Sequence, residues 1–124
     1  MFTDTKAFSS FSVDDIAAAQ RFYTETLGLQ VTEEEGMLTL QLTGDNPVLV
    51  YPKPDHQPAV FTILNFPVDD IEAAVDALVE RGVTFDRYDG FQQDEKGIER
   101  GAGGPPIAWF KDPAGNILSV LQQD

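Results

Sequence analysis

A seven-residue phrase that occurs twice constrains this chain more than any other feature. Residues 13–19 read V-D-D-I-A-A-A and residues 68–74 read V-D-D-I-E-A-A, a match at six of seven positions with an offset of 55. Each copy follows an apolar alternating run and opens an amphipathic one, and a glycine (Gly28, Gly82) closes each helical pattern. The pattern implies an internal duplication of a strand–helix–strands unit. A unit of about 55 residues is too small to be comfortable alone. The 124-residue chain is therefore expected to be a single domain, with module one at 1–52, a connector at 53–59 and module two at 60–124.

Periodicity places the elements. Residues 7–13 alternate as a half-buried strand, with Ala7, Ser9, Phe11 and Val13 on one face and Phe8, Ser10 and Ser12 on the other. Asp14 is placed to cap a helix over 15–27, whose buried stripe is Ile16, Ala19, Phe22, Tyr23 and Leu27. Strands follow at 29–34, 37–43 and 47–52, with turns at Glu35-Gly36 and at G-D-N-P, 44–47. Three prolines within 52–58 make the run into and through the connector irregular. The second copy repeats the plan with a strand at 60–67, in which Phe61, Ile63 and Asn65 share a face opposite Thr62, Leu64 and Phe66. Asp69 and Glu72 have the form of a capping box for a helix at 70–81, with the stripe Ile71, Ala74, Val75, Leu78 and Val79. Strands are expected at 83–88, 106–111 and 116–122, with a long glycine-rich loop at 89–105. The class is α+β: two tandem βαβββ modules, helices outside, with the free sheet faces lining a shared, cupped concavity.

Composition narrows the function. With no cysteine, a disulfide framework, a thiolate metal site and a cysteine nucleophile are all excluded. The net charge of −13 repels nucleic acid and anionic membrane; it suits a solubilising surface and favours cationic ligands. The N-terminus M-F-T-D-T-K lacks a basic region followed by an apolar core, and no apolar run approaches the ~20 residues of a membrane span. The expectation is a soluble, cytoplasmic protein. No Ser/His/Asp arrangement, phosphate-binding glycine loop or H-E-x-x-H stands out.

Three stretches carry a resemblance: F-S-V-D-D-I-A-A-A-Q-R-F-Y-T-E-T-L-G-L, V-D-D-I-E-A-A-V and the ending W-F-K-D-P-A-G-N-I-L-S-V. Over essentially its whole length the chain resembles the vicinal oxygen chelate superfamily. That group includes glyoxalase I, extradiol dioxygenases, fosfomycin-resistance transferases and bleomycin-binding proteins. The D-P-x-G-N turn identifies the superfamily and says little of the activity. In metal-using members, each module's first and last strands carry a ligand. Carried over, those positions are Phe8, Ile63, Ser119 and Leu49, with Tyr51 next on Leu49's face. Phe, Ile and Leu have no lone pair, and neutral Ser is a poor donor. The resemblance thus implies a branch lacking the metal ligands, with no metal and no cofactor.

The former metal face becomes an apolar and aromatic cup. Its candidate ligand-binding residues are Phe8, Ser10, Leu49, Tyr51, Phe61, Ile63, Trp109, Lys111 and Ser119. By resemblance to the drug-binding branch, the expected function is metal-independent binding of an apolar, aromatic or cationic small molecule, stacking near Trp109 and Tyr51, by a homodimer. The alternative is a glyoxalase-, dioxygenase- or transferase-like enzyme with non-standard metal ligands or with Glu95, Glu99 or Lys111 as acid–base groups. No catalytic residue is assigned. His56 reads as a surface-loop histidine, Glu33–Glu35 as a solvated charge run, and Asp94, Glu95 and Glu99 as exposed loop carboxylates.

Overall fold

The computed structural model describes residues 1–44, 46–101 and 103–123. One position of the expected 44–47 turn, Asp45, and one of the 89–105 loop, Ala102, lie outside the described residues, as does Asp124. The chain forms two compact units, Met1–Pro58 and Ala59–Asp124.

The first unit opens with β1 (Ser9–Val13) and α1 (Ile16–Arg21), followed by β2 (Gln30–Glu34), β3 (Met37–Gln41) and β4 (Val48–Pro52). The sheet order is β1-β4-β3-β2, with β1 parallel to β4 and the other pairs antiparallel. Glu35 and Gly36, at φ 54° and 79°, make the two-residue turn between β2 and β3. Register puts Phe11, Val50, Leu38 and Glu33 in one row, and Ser10, Leu49, Thr39 and Thr32 in the row on the opposite face. Val13, Ala19, Tyr23, Leu38, Leu40 and Val50 are buried to 0–1% exposure and form this unit's core. Each large side chain among them contributes about 1.5–3 kcal/mol by leaving water.

Two expectations for the helix need correction. Its cap is Asp15, not Asp14: the Asp15 carboxylate accepts from the Ala18 N–H at 3.1 Å. The helix is also not uniform over 15–27. Residues Phe22–Thr26 widen into π-helical turns, with the Leu27 N–H donating to the Phe22 carbonyl five residues back. Within this stretch Tyr23 is wholly buried, edge-on to Phe22 at 5.1 Å and 6.0 Å from Phe11. Gly28, at φ 73°, ends the helix, letting the Leu29 N–H reach back to the Tyr23 carbonyl at 2.9 Å.

The second unit contains β5 (Thr62–Val68), α2 (Ile71–Glu80), β6 (Ile107–Lys111) and β7 (Ile117–Gln122) in sheet order β5-β7-β6. Again the first and last strands are parallel. The α2 cap is Asp70, whose carboxylate accepts from the Ala73 N–H, so the expected Asp69–Glu72 box does not form. Ile71 and Val75 are buried as expected, but Val79 is 53% exposed and belongs to no core stripe.

The largest departure is at 83–88, where no strand forms. Phe85 makes a single bridge to Phe110, and the Asp86 N–H donates to the Trp109 carbonyl. Beyond that point the backbone is satisfied by a side chain: Gln93 accepts from the Tyr88 N–H at 2.8 Å and donates to the Asp86 and Gly97 carbonyls. Once those groups are taken, no ladder can continue. A second departure is the register shift between Thr62 and Leu64. Ile63 is the extra residue of a bulge, so Thr62 lies opposite Ile117 while Leu64 lies opposite Leu118. Thr62 and Asn65 therefore share a face, contrary to strict alternation.

Candidate functional site

The open face of the second sheet follows from its register. Asn65, Ser119 and Trp109 form one row, and Thr62, Ile117 and Lys111 the next. The opposite face carries Leu64, Leu118 and Phe110, the last two of them fully buried. Tyr88 and Phe91 join the open face from the chain after 83–87. Tyr88 meets Trp109 edge-on at 5.5 Å, and Phe91 tilts against it at 5.2 Å. These rings, with Val60, Phe61, Thr62 and Ile117, line a cavity of about 210 Å³. Phe61 and Phe91 are 66% and 48% exposed, so its mouth is apolar and open.

A small polar cluster stands beside those rings. Asp86 accepts a hydrogen bond from the Tyr88 hydroxyl at 3.4 Å and pairs with the Lys111 ammonium at 3.6 Å. Burial, followed by the charge and hydrogen bond of Asp86, pushes the Tyr88 phenol above the usual tyrosine range. The shift makes a pH prediction. A raised folded pKa contributes stability below the unfolded value of about 10 and loses it as pH rises through the folded value. Alkaline titration followed by tyrosinate absorbance is expected to show a late-ionising phenol that Tyr88→Phe removes; if the variant instead loses a phenol that ionises in the ordinary range, the burial of Tyr88 is contradicted.

The loop that brings in Phe91 is held by its own bonds. The Asp94 carboxylate accepts from the N–H groups of Lys96 and Ile98 and from Arg100. Lys96 pairs with Asp76 and Arg100 with Glu72, tying the loop to α2. Glu99 and Ile107 exchange backbone hydrogen bonds. Glu99 is 3% exposed and accepts from the Gly101 N–H, which corrects its reading as an exposed carboxylate; Glu95 is exposed as expected.

Of the sequence-derived candidates in this unit, Phe61 and Trp109 share the cavity and Lys111 stands beside it. Ile63 is the bulge residue. Ser119 is wholly buried, and its hydroxyl donates to Asn65 Oδ1 at 2.6 Å. In the first unit, register places Ser10 opposite Leu49 and Ser12 opposite Tyr51, while Phe8 is 62% exposed. His56 is not detached from the strands: its Nδ1 lies 2.6 Å from Ser12 Oγ. Sequence reasoning missed Tyr88 and Phe91. The available signal was two aromatics flanking the start of a polar, glycine-rich loop.

The family's metal positions can be tested on these side chains. Phe8, Leu49 and Ile63 offer no donor atom, and the Ser119 hydroxyl is already committed to Asn65. The set does not fit a divalent ion. Among the described residues no cluster of three or more His, Asp or Glu could hold one elsewhere, and no helix is long and apolar enough to cross a membrane.

A sequence profile described as Glyoxalase/Bleomycin resistance protein/Dioxygenase superfamily matches residues 9–120. TnmS3, an antibiotic-binding protein from Streptomyces sp. CB03234, is 25% identical with a TM-score of 0.69, the match covering 98% of this chain and 99% of that one. A glyoxalase/bleomycin resistance protein from the same strain is 26% identical with a TM-score of 0.61, covering 94% and 100%. The fosfomycin resistance protein FosX from Listeria monocytogenes, 10% identical with a TM-score of 0.72 over 98% and 94%, is similar in fold alone. No curated protein sequence matches.

Proposed function

Because the chain belongs to the glyoxalase/bleomycin resistance protein/dioxygenase superfamily, we propose that it is a metal-independent small-molecule-binding protein. Its ligand is flat and apolar, aromatic or cationic, held against the open face of the second sheet. The observation that carries this reading is the cavity lined by Phe61, Tyr88, Phe91 and Trp109. Aromatic walls with a few polar groups are the usual makeup of a small-ligand site. The similarity to an antibiotic-binding protein supports binding over catalysis. So does the misfit of the metal positions, since the family's shared chemistry needs an ion to stabilise developing negative charge. The same reading has the chain act in the cytoplasm as a homodimer, for which exposed Phe2 and Phe8, away from the cavity lining, supply apolar surface.

Trp109 is the only tryptophan, so its fluorescence reports on the site directly. Flat aromatic dyes are expected to quench it. By calorimetry, Trp109→Leu should weaken their binding by about 1 kcal/mol or more. Stoichiometric zinc, nickel, manganese or iron that survives dialysis and supports turnover would overturn the reading.

A further inference from the structure

Of the apolar, aromatic and cationic ligands that the binding function admits, the charged groups beside the cavity select the aromatic ones and count against the cationic. Resting on the binding function above, we propose that Lys111 is the site's polar anchor and that the ligand is a flat aromatic bearing an anionic oxygen: a sulfonate, carboxylate or phenolate.

Lys111 lies opposite Ile117, and Ile117 lies opposite Thr62; both of those neighbours line the cavity. An ammonium carries three donors, and the Lys111 side chain, half exposed, has Asp86 at 3.6 Å as its ion-pair partner. That separation is too long for a charge-assisted hydrogen bond of full strength. The carboxylate, by contrast, is shared between Lys111 and the Tyr88 hydroxyl and is only 24% exposed. The charge presented to an incoming ligand is therefore the ammonium. The loop's other cations are engaged elsewhere: Lys96 and Arg100 with α2 carboxylates, and Arg87 with the Asp94 carbonyl.

The net charge of −13 argues for cations, but only at long range. Surface charges beyond a Debye length of about 8 Å are largely screened at physiological ionic strength. A donor at the cavity rim acts at contact distance and dominates recognition once the ligand has docked. Size agrees with an anchor outside the rings. The cavity, about 210 Å³, is smaller than the ~300–1,000 Å³ of sites that enclose a drug-sized ligand. A bound ring system extends past the aromatic walls to where Lys111 stands.

A matched pair of dyes tests this. 1-Anilinonaphthalene-8-sulfonate and its uncharged parent, N-phenyl-1-naphthylamine, present nearly the same rings with and without an anionic oxygen. Titrated into the full-length protein, the sulfonate is expected to bind about tenfold tighter. Lys111→Gln should abolish that preference while leaving the uncharged dye within about twofold. Asp86→Asn, which frees the ammonium, should strengthen sulfonate binding. Equal affinities unaffected by Lys111→Gln, with Trp109→Leu still weakening both dyes, would overturn the anchor and leave the aromatic site standing. A cationic dye such as thioflavin T binding tightest would overturn it as well. If Trp109→Leu weakens neither dye, the binding site itself is misplaced and the anchor falls with it.

Discussion

Phe110→Ala is expected to destabilise the second unit by about 3–5 kcal/mol, a large share of the ~5–15 kcal/mol that holds an ordinary domain folded. Phe110 is wholly buried on β6, packs against Phe85 at 5.4 Å, and lies opposite Leu118 of β7. Truncation removes a ring that the surrounding sheet cannot collapse to replace. It also removes the ring that Phe85 packs against, at the backbone bridge that joins 83–88 to β6. Asp86 and Tyr88 follow Phe85 directly, so the cavity wall and the Lys111 partner should loosen with it. Urea unfolding followed by Trp109 fluorescence measures the loss as a lower midpoint. Weaker dye binding at urea concentrations where the variant is still folded would show the effect reaching the site. A loss below about 1 kcal/mol would mean that this unit's core does not depend on the ring.

The elements legible in the sequence are those where local pattern and tertiary packing agree. The V-D-D-I phrase marks both helix starts, and the same cap operates in each copy. It does so one residue later than expected, at Asp15 and Asp70. Two adjacent aspartates are equivalent as letters. Only the backbone shows which one is extended with its carboxylate turned to the first N–H groups. The bulge at Ile63 was hidden for a different reason. The run F-T-I-L-N-F carries apolar side chains at both parities, so alternation cannot register an inserted residue. The missing strand at 83–88 was invisible because its competitor is a side chain five or more residues away. Nothing in Q-Q-D-E-K-G announces that Gln93 will bond Tyr88, Asp86 and Gly97.

The site was half legible on the same logic. Trp109 and Lys111 sit on a regular strand next to a recognisable turn, so parity placed them on one face correctly. Tyr88 and Phe91 depend on the path of the loop, which rests on Asp94, Gln93 and ion pairs to α2. Surface pairs of that kind contribute only about 0–1 kcal/mol each, too little to leave a pattern in composition. Glu99 misled for the same reason. A charged letter in a polar loop reads as exposed, yet its pairing with Ile107 makes it part of the sheet edge.

Asp112→Ala should be the most damaging change outside the apolar core, costing about 2–4 kcal/mol. Asp112 is 4% exposed at the β6–β7 turn, where Oδ1 accepts from the Ala114 and Asn116 N–H groups at 3.0 and 2.9 Å and Oδ2 from the Asn116 side chain at 3.0 Å. Alanine leaves those donors without the carboxylate, and Asn116 is itself 2% exposed, with little water to replace it. Bonds to an ionised acceptor are worth about 1.5–3 kcal/mol each, but three sharing one group do not add in full. Asp112→Asn keeps one oxygen and turns an amide toward Asn116, so an intermediate loss is expected. The turn also sets the registers Lys111–Ile117 and Trp109–Ser119. Its loss should therefore weaken dye binding as well as stability. Urea unfolding gives the energy, and hydrogen exchange at the Ala114 and Asn116 amides locates it. Unchanged protection at both amides would show that the turn is held by its backbone bonds, Asp112 N–H to the Asn116 carbonyl and Gly115 N–H to the Asp112 carbonyl, and that the carboxylate is dispensable.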